Sequence, residues 1–239
     1  MIFYYVRHGD PIYSPDSLTP LGERQAEAVG KRLAVHGLDK IYCSPSNRAR
    51  LTAKPTCEML KKEAEIVDFA NEGNAWARFT TPREDGQGRT WLFQSKRSLE
   101  LFATPEIRAL GDRWFDHPEL ASENYGASVD WMYENVDAFM SSLGFEHQRY
   151  TGKYTVTRKN DERIALFAHQ GMGIAFLSTL LDIPYPQFCS HFDIGHTGMT
   201  VIEFADRGGY AIPKVLTYSS DSHIYREGLP LLYNNYVNF

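Results

Sequence analysis

Apolar and polar positions alternate along the first third of the chain in blocks that change period. "IFYYV" (residues 2–6) is a run of β-formers closed by Gly9, Asp10 and Pro11, which predicts a short buried strand. A helix is predicted next, with Thr19 as its N-cap and Pro20 at its first position. Leu21, Ala28, Val29 and Leu33 fall on one helical face, and Gly37 suits the stop. "KIYCS" (40–44) predicts a second strand, "NRARLTAKPTCEMLKK" (47–62) a second helix with a kink point at Pro55, and "AEIVDF" (64–69) a third strand. Strand, helix, strand, helix, strand is the order of parallel βαβ units.

From about residue 71 to 128 this alternation stops. Trp76, Trp91, Trp114 and Trp131 lie in or just beyond the stretch, with loop-like "TTPREDGQGRT" and a helical "PEIRALGDRWF". We read an insertion there that caps a single α/β domain spanning 1–239. The α/β pattern resumes with a helix over 128–144. "KYTVTR" and "RIALFAHQG" then read as a hairpin-like strand pair around "KNDE". A buried helix over 172–181 follows, with strands at "GMTVIEF" and "AIPKVLTYS". The terminal "LPLLYNNYVNF" is apolar enough to be expected to pack back on the body. The fold class expected is α/β: three layers, αβα, around a mostly parallel open sheet.

Composition narrows the function. With 43% hydrophobic and 23% charged residues the chain reads as an ordinary globular protein, and its net charge of -5 argues against nucleic-acid binding. No apolar run reaches the roughly 20 residues that span a bilayer, so no membrane partner is expected. "IFYYV" is too short for a signal-peptide core. Cys43, Cys57 and Cys189 are odd in number and widely spaced, which suggests free thiols in a reducing, cytoplasmic setting. A homo-oligomer is left open.

The chemistry gathers where strands end. The first strand runs into Arg7-His8-Gly9, the second into "CSPSNRA" with Arg48 at a helix start, and "IALFA" into His169. Loops at the carboxyl ends of strands in an open α/β sheet converge on one crevice, beside helix N-termini that favour anions. Arg7, His8, Arg48 and His169 are therefore expected to share a phosphate pocket. Each alone reads better as structural: a strand-end arginine is usually a solvated charge, and a histidine after an apolar run usually a satisfied core residue.

Those same segments carry a family likeness. "VRHG", "LTPLGERQAEAVGKRL", "IYCSPSNRARLTA" and "FAHQG" resemble, in order, the Arg-His-Gly hallmark, the Leu-Thr-x-x-Gly helix, the Ser-Pro-x-x-Arg-Ala element and the second-histidine loop of the histidine phosphatase superfamily, of phosphoglycerate mutase-like fold. The resemblance implies that His8 is a nucleophile that becomes phosphohistidine. It also implies that Arg7, Arg48 and His169 clamp the phosphoryl oxygens, with Gly9 and Gln170 as further substrate contacts. Guanidinium groups would neutralise the transferred group, so no metal and no cofactor are expected. The family places its proton-transferring Glu just after the third strand, where Glu72 stands; Glu84 and Asp85 are rivals in the insertion. Asp10-Pro11, Ser14, Leu51 and Gln170 depart from the common pattern without removing a catalytic group.

The activity expected is metal-independent hydrolysis of a small anionic organophosphate. A phosphoglycerate mutase-type transfer and a non-catalytic phospholigand-binding protein are the alternatives. His191 and His196 are weak metal candidates, lacking any Cys or HExxH pattern; His196 reads better as a structural hydrogen-bonding group than as one that closes the pocket. Arg78, Arg83, Arg89, Lys96 and Arg97, near Trp76, Phe79 and Trp91, are either a solvated basic face or substrate contacts.

Overall fold

The structure, a computed structural model, describes residues 1–231. Six strands form the main sheet, in the order 214–220, 199–203, 2–7, 163–168, 40–43, 64–66. The last four of these run parallel, while 199–203 pairs antiparallel with both of its neighbours. Side chains alternate across the first strand as a period of two requires. Phe3 and Tyr5 face the larger apolar cluster with the helices Tyr125–Ser142 and Gln170–Leu180. Tyr4 and Val6 face the other, with Val29 and Leu33 of Pro20–Ala34 and Ala49 and Ala53 of Asn47–Leu60. Helices on both faces of a mostly parallel sheet make the expected three-layer αβα fold.

The first helix begins as its sequence indicates, with the Thr19 hydroxyl accepting from Gly22 N at 3.0 Å and Pro20 in the first turn. The second passes through Pro55 and ends on Lys61 in the left-handed conformation, φ 53°. The third strand is shorter than expected, Ala64–Ile66, and gives way to a 3-10 turn at Asp68–Ala70. Residues 80–82 and 89–91 form a hairpin, and Pro105–Leu110 a short helix, inside the insertion. Phe79, Leu92, Phe102, Ile107 and Trp114 of this region join the same apolar cluster as Phe3 and Tyr5, so it is packed onto the sheet's helical face. The helix expected from 128 starts at Tyr125, capped by Asn124.

One pairing differs from expectation. Lys153–Val156 and Arg163–Ala168 are not a hairpin. The first belongs to a separate antiparallel sheet with Phe145–Gln148 and Tyr210–Ala211, while the second lies in the main sheet between 2–7 and 40–43. Burial explains the split. Arg163–Ala168 is buried at five consecutive positions, which suits a strand covered on both faces, whereas Lys153–Val156 is only partly buried. The terminal apolar segment falls mostly outside the described residues, and within them Leu229 is buried against Ala28 and Ile224.

Candidate active site

Register brings the chemistry together. Arg7 pairs with Ala168 across the sheet, Phe167 with Cys43, and Cys43 with Ile66. The residues that follow these positions leave four adjacent strands at the same end: His8, His169, the Ser44–Arg48 turn and, after the 3-10 turn, Glu72. They surround a cleft of about 780 Å³ whose lining includes Arg7, His8, Arg48, Glu72, Trp76, Trp91 and His196. His169 is fully buried behind it, its ring 5.2 Å from that of His8.

Each ring nitrogen is oriented. His8 Nδ1 donates to the Gly9 carbonyl at 2.7 Å, which leaves Nε2 as the nitrogen with the free lone pair. Arg48 Nη2 donates to His169 Nδ1 at 3.1 Å, so His169 Nε2 carries the proton and faces the hydroxyls of Ser44 at 2.8 Å and Ser46 at 3.0 Å. The Tyr5 hydroxyl ties down the His169 backbone from below, donating to its carbonyl at 2.7 Å. Burial, reinforced by Arg7, His169 and Arg48, holds His8 well below the usual imidazole range. Burial, then Arg48 and Arg7, does the same for His169. Both rings are thereby kept neutral at neutral pH.

Arg7 and Arg48 are fixed by groups on neighbouring segments. Arg7 Nη1 donates to the Ile194 carbonyl at 2.6 Å and Nη2 to His196 Nε2 at 2.9 Å. Arg48 Nη1 is 2.9 Å from Asp16 Oδ1, and Asp16 Oδ2 accepts from Asn47 N at 2.7 Å. The Nε–H groups of both arginines are buried and find no acceptor among the described residues. Two guanidinium edges are thus available for an anion at the end of the cleft where His8 lies.

Glu72 opens the helix Glu72–Trp76 and reaches across to the start of Gln170–Leu180. Its Oε1 accepts from Gly171 N at 2.9 Å and its Oε2 from Met172 N at 2.8 Å. Burial raises its pKa above the ordinary carboxyl value, against the pull of those two backbone bonds and of Arg7 and Arg48. Glu84 and Asp85 are exposed at a different place, bonded to Arg97 N and to Arg83, and neither lines the cleft.

Several expectations change at this point. The Gly9 amide, expected as a substrate contact, donates to Thr52 Oγ1 at 3.0 Å, and a Cβ there would lie 2.6 Å from the Gly22 carbonyl oxygen. A Cβ on Gly22 would in turn meet the Asp10 carbonyl oxygen at 2.2 Å, so the two glycines let the first strand's loop seat on the first turn of its helix. Gln170 lines the cleft, but its amide donates to Asp193, which braces the loop carrying Ile194 and His196. The basic side chains of the insertion all point elsewhere. Arg83, Lys96 and Arg97 pair with Asp85, Glu100 and Glu119, Arg89 with Glu123, and Arg78 covers the Trp131 ring. His191 faces Arg108 while His196 faces Arg7, and among the described residues no group of three His, Cys, Asp or Glu is placed to hold a metal.

Sequence reasoning missed Asp16, which reads as an ordinary turn residue near Pro15, and the paired indoles of Trp76 and Trp91. It weighed His196 as a weak metal ligand, a pocket closer or a structural group. The ring sits 5.9 Å from His8, and burial with Arg7 nearby lowers its pKa to about 3, so it enters the cleft wall uncharged.

Comparison with known proteins bears on the fold. The histidine phosphatase superfamily (branch 1) profile matches residues 3–107. A search of curated proteins finds no match. Among solved structures, a phosphoserine phosphatase from Entamoeba histolytica in complex with 3-phosphoglyceric acid aligns over 93% of this chain and 98% of its own, with TM-score 0.59 and 19% identity. A mycobacterial glucosyl-3-phosphoglycerate phosphatase in complex with inorganic phosphate aligns over 93% and 98%, with TM-score 0.55 and 16% identity. At such identities the two establish a shared fold.

Proposed function

Taking as premise that residues 3–107 match the histidine phosphatase superfamily, we propose that the protein is a phosphomonoester hydrolase acting on a small organophosphate through a phosphohistidine at His8. The observation that carries this reading is the convergence of neutral His8 and His169 with Arg7, Arg48 and Glu72 at the carboxyl ends of four neighbouring strands.

In the first half-reaction His8 Nε2 attacks phosphorus and the ester P–O bond breaks. Glu72, in its acid form, delivers its proton to the departing oxygen. Arg7 and Arg48 hold the equatorial oxygens, where charge gathers in the transition state, and His169 backs Arg48 from behind the cleft through its Nδ1. In the second half-reaction a water gives its proton to the Glu72 carboxylate and attacks phosphorus. The P–N bond breaks, inorganic phosphate leaves, and His8 returns neutral with Nε2 unprotonated. A lowered pKa at His8 keeps the nucleophile free of a proton, and a raised one at Glu72 lets a carboxyl serve as acid nearer neutrality.

The charge neutralisation comes from guanidinium groups, so phenyl phosphate hydrolysis should persist in excess EDTA. Activity abolished by EDTA and restored by Mg²⁺ or Zn²⁺ would overturn the metal-independent part of this reading. A cytoplasmic, reducing location is part of the proposal, supported by three unpaired cysteines of which Cys43 and Cys189 are buried.

A further inference from the structure

The leaving group must begin beside Glu72, because the departing oxygen has to lie within hydrogen-bond reach of its acid. What surrounds Glu72 on that side is aromatic. Trp76 stands one turn further along the helix that Glu72 opens. The Trp91 indole packs on Gly171, the residue whose amide anchors Glu72 Oε1: a Cβ on Gly171 would lie 2.4 Å from Trp91 Cη2. The two indoles meet edge to face, centroids 4.9 Å apart at 88°. Trp76 is 41% exposed, whereas Trp114 of the same region is 1% exposed. An indole left open beside an acid is a surface for something flat.

Charge sets the second half of the inference. The cleft's cations are Arg7 and Arg48, and both are held at the phosphoryl end. The lining also includes the carboxylate of Asp10, the carboxyl of Glu72, protonated when the ester binds, and the neutral amides of Asn71, Gln94 and Gln170. The insertion's basic side chains are engaged outside the cleft. A second negative charge on the leaving group would be desolvated among carboxyl groups and amides, with no further cation in the lining among the described residues to meet it.

Resting on the phosphatase reading above, we propose that the leaving group is uncharged and flat-faced, an aromatic ring or the C–H face of a pyranose, stacked on the Trp76–Trp91 pair. Phosphomonoesters with a second anionic group on that ring are selected against. This sets aside the reading of the insertion's cations as substrate contacts.

Two matched pairs test it, each differing by CH₂OH against carboxylate: 4-(hydroxymethyl)phenyl phosphate with 4-carboxyphenyl phosphate, and glucose 1-phosphate with glucuronic acid 1-phosphate. In at least one pair the neutral member should show a kcat/KM about 10-fold or more above its partner, and the faster neutral ester identifies the ring type. Trp76→Ala should lower kcat/KM for that ester about 10-fold, mainly through KM, while inhibition by inorganic phosphate stays within about 2-fold of wild type. Anionic members turned over as well as neutral ones in both pairs, or a Trp76→Ala variant indistinguishable on the preferred ester, would overturn the proposal and leave the phosphatase reading standing. Failure of every ester to turn over would remove both.

Discussion

Replacing Asp16 with asparagine isolates how much of the Arg48 geometry comes from one carboxylate. Asp16 Oδ1 is 2.9 Å from Arg48 Nη1, and Oδ2 caps the second helix through Asn47 N at 2.7 Å. Opposite charges about 4 Å apart interact by about 4 kcal/mol at an effective dielectric near 20. Asp16 is about one-third exposed and Arg48 about one-eighth, so solvent removes over half of this and leaves about 1–2 kcal/mol. Asparagine has one acceptor where the carboxylate had two. It can serve Arg48 or the helix cap, without charge. If that energy holds Arg48 against the phosphoryl group, kcat/KM for phenyl phosphate should fall about 10-fold, since about 1.4 kcal/mol is a factor of ten. The weakened cap should cost about 1 kcal/mol in urea unfolding. Removing a negative charge near the site would, by itself, favour anion binding. Weaker inhibition by inorganic phosphate in Asp16→Asn is therefore the signature of lost positioning. An inhibition constant that tightens, with kcat/KM unchanged, would refute the reasoning.

Other outcomes follow from the same geometry. Gly171→Ala places a Cβ against the Trp91 ring and should cost about 1–3 kcal/mol by overpacking, read as a lower urea midpoint, with reduced turnover because Glu72 is anchored there. His147 bridges Asp137 at 2.8 Å and Asp182 at 3.0 Å; burial alone would lower its pKa, but these bonds outweigh burial and raise it. Its stabilisation is full below about pH 6.5 and is lost as pH rises through the raised folded value, so the wild-type urea midpoint should fall across that window and His147→Gln should flatten the fall. With a poor leaving group, kcat/KM should decline as pH rises through the raised Glu72 value, and Glu72→Gln should abolish that limb. Glu84→Gln should keep wild-type rates, because Glu84 lies outside the cleft.

The proposed catalytic groups were legible because each follows a strand. A β-rich run ending in Arg7-His8, or a fully apolar one ending in His169, already fixes which end of the sheet the side chain reaches. Glu72 was legible by its place after the third strand, and its anchoring at Gly171 and Met172 shows why a residue there can reach the cleft. The small antiparallel sheet was not legible. Lys153–Val156 finds its partners at 145–148 and 210–211, and nothing local distinguishes that pairing from a hairpin across "KNDE". The insertion's arginines were left between two readings for a similar reason: each is matched by an acid or an indole whose proximity is tertiary, as with Arg89 and Glu123 or Arg78 and Trp131. Asp16 is a turn residue in the sequence and an arginine support in space.

The covalent step is where the proposal is most exposed. Glu72→Gln protein mixed with 4-nitrophenyl phosphate, whose leaving group needs little protonation, should complete the first half-reaction and stall in the second. Quenching at high pH and measuring intact mass should show one added phosphoryl group, mapped to His8, acid-labile and absent from His8→Ala. No adduct in Glu72→Gln, together with undiminished turnover by His8→Ala, would contradict nucleophilic attack by His8.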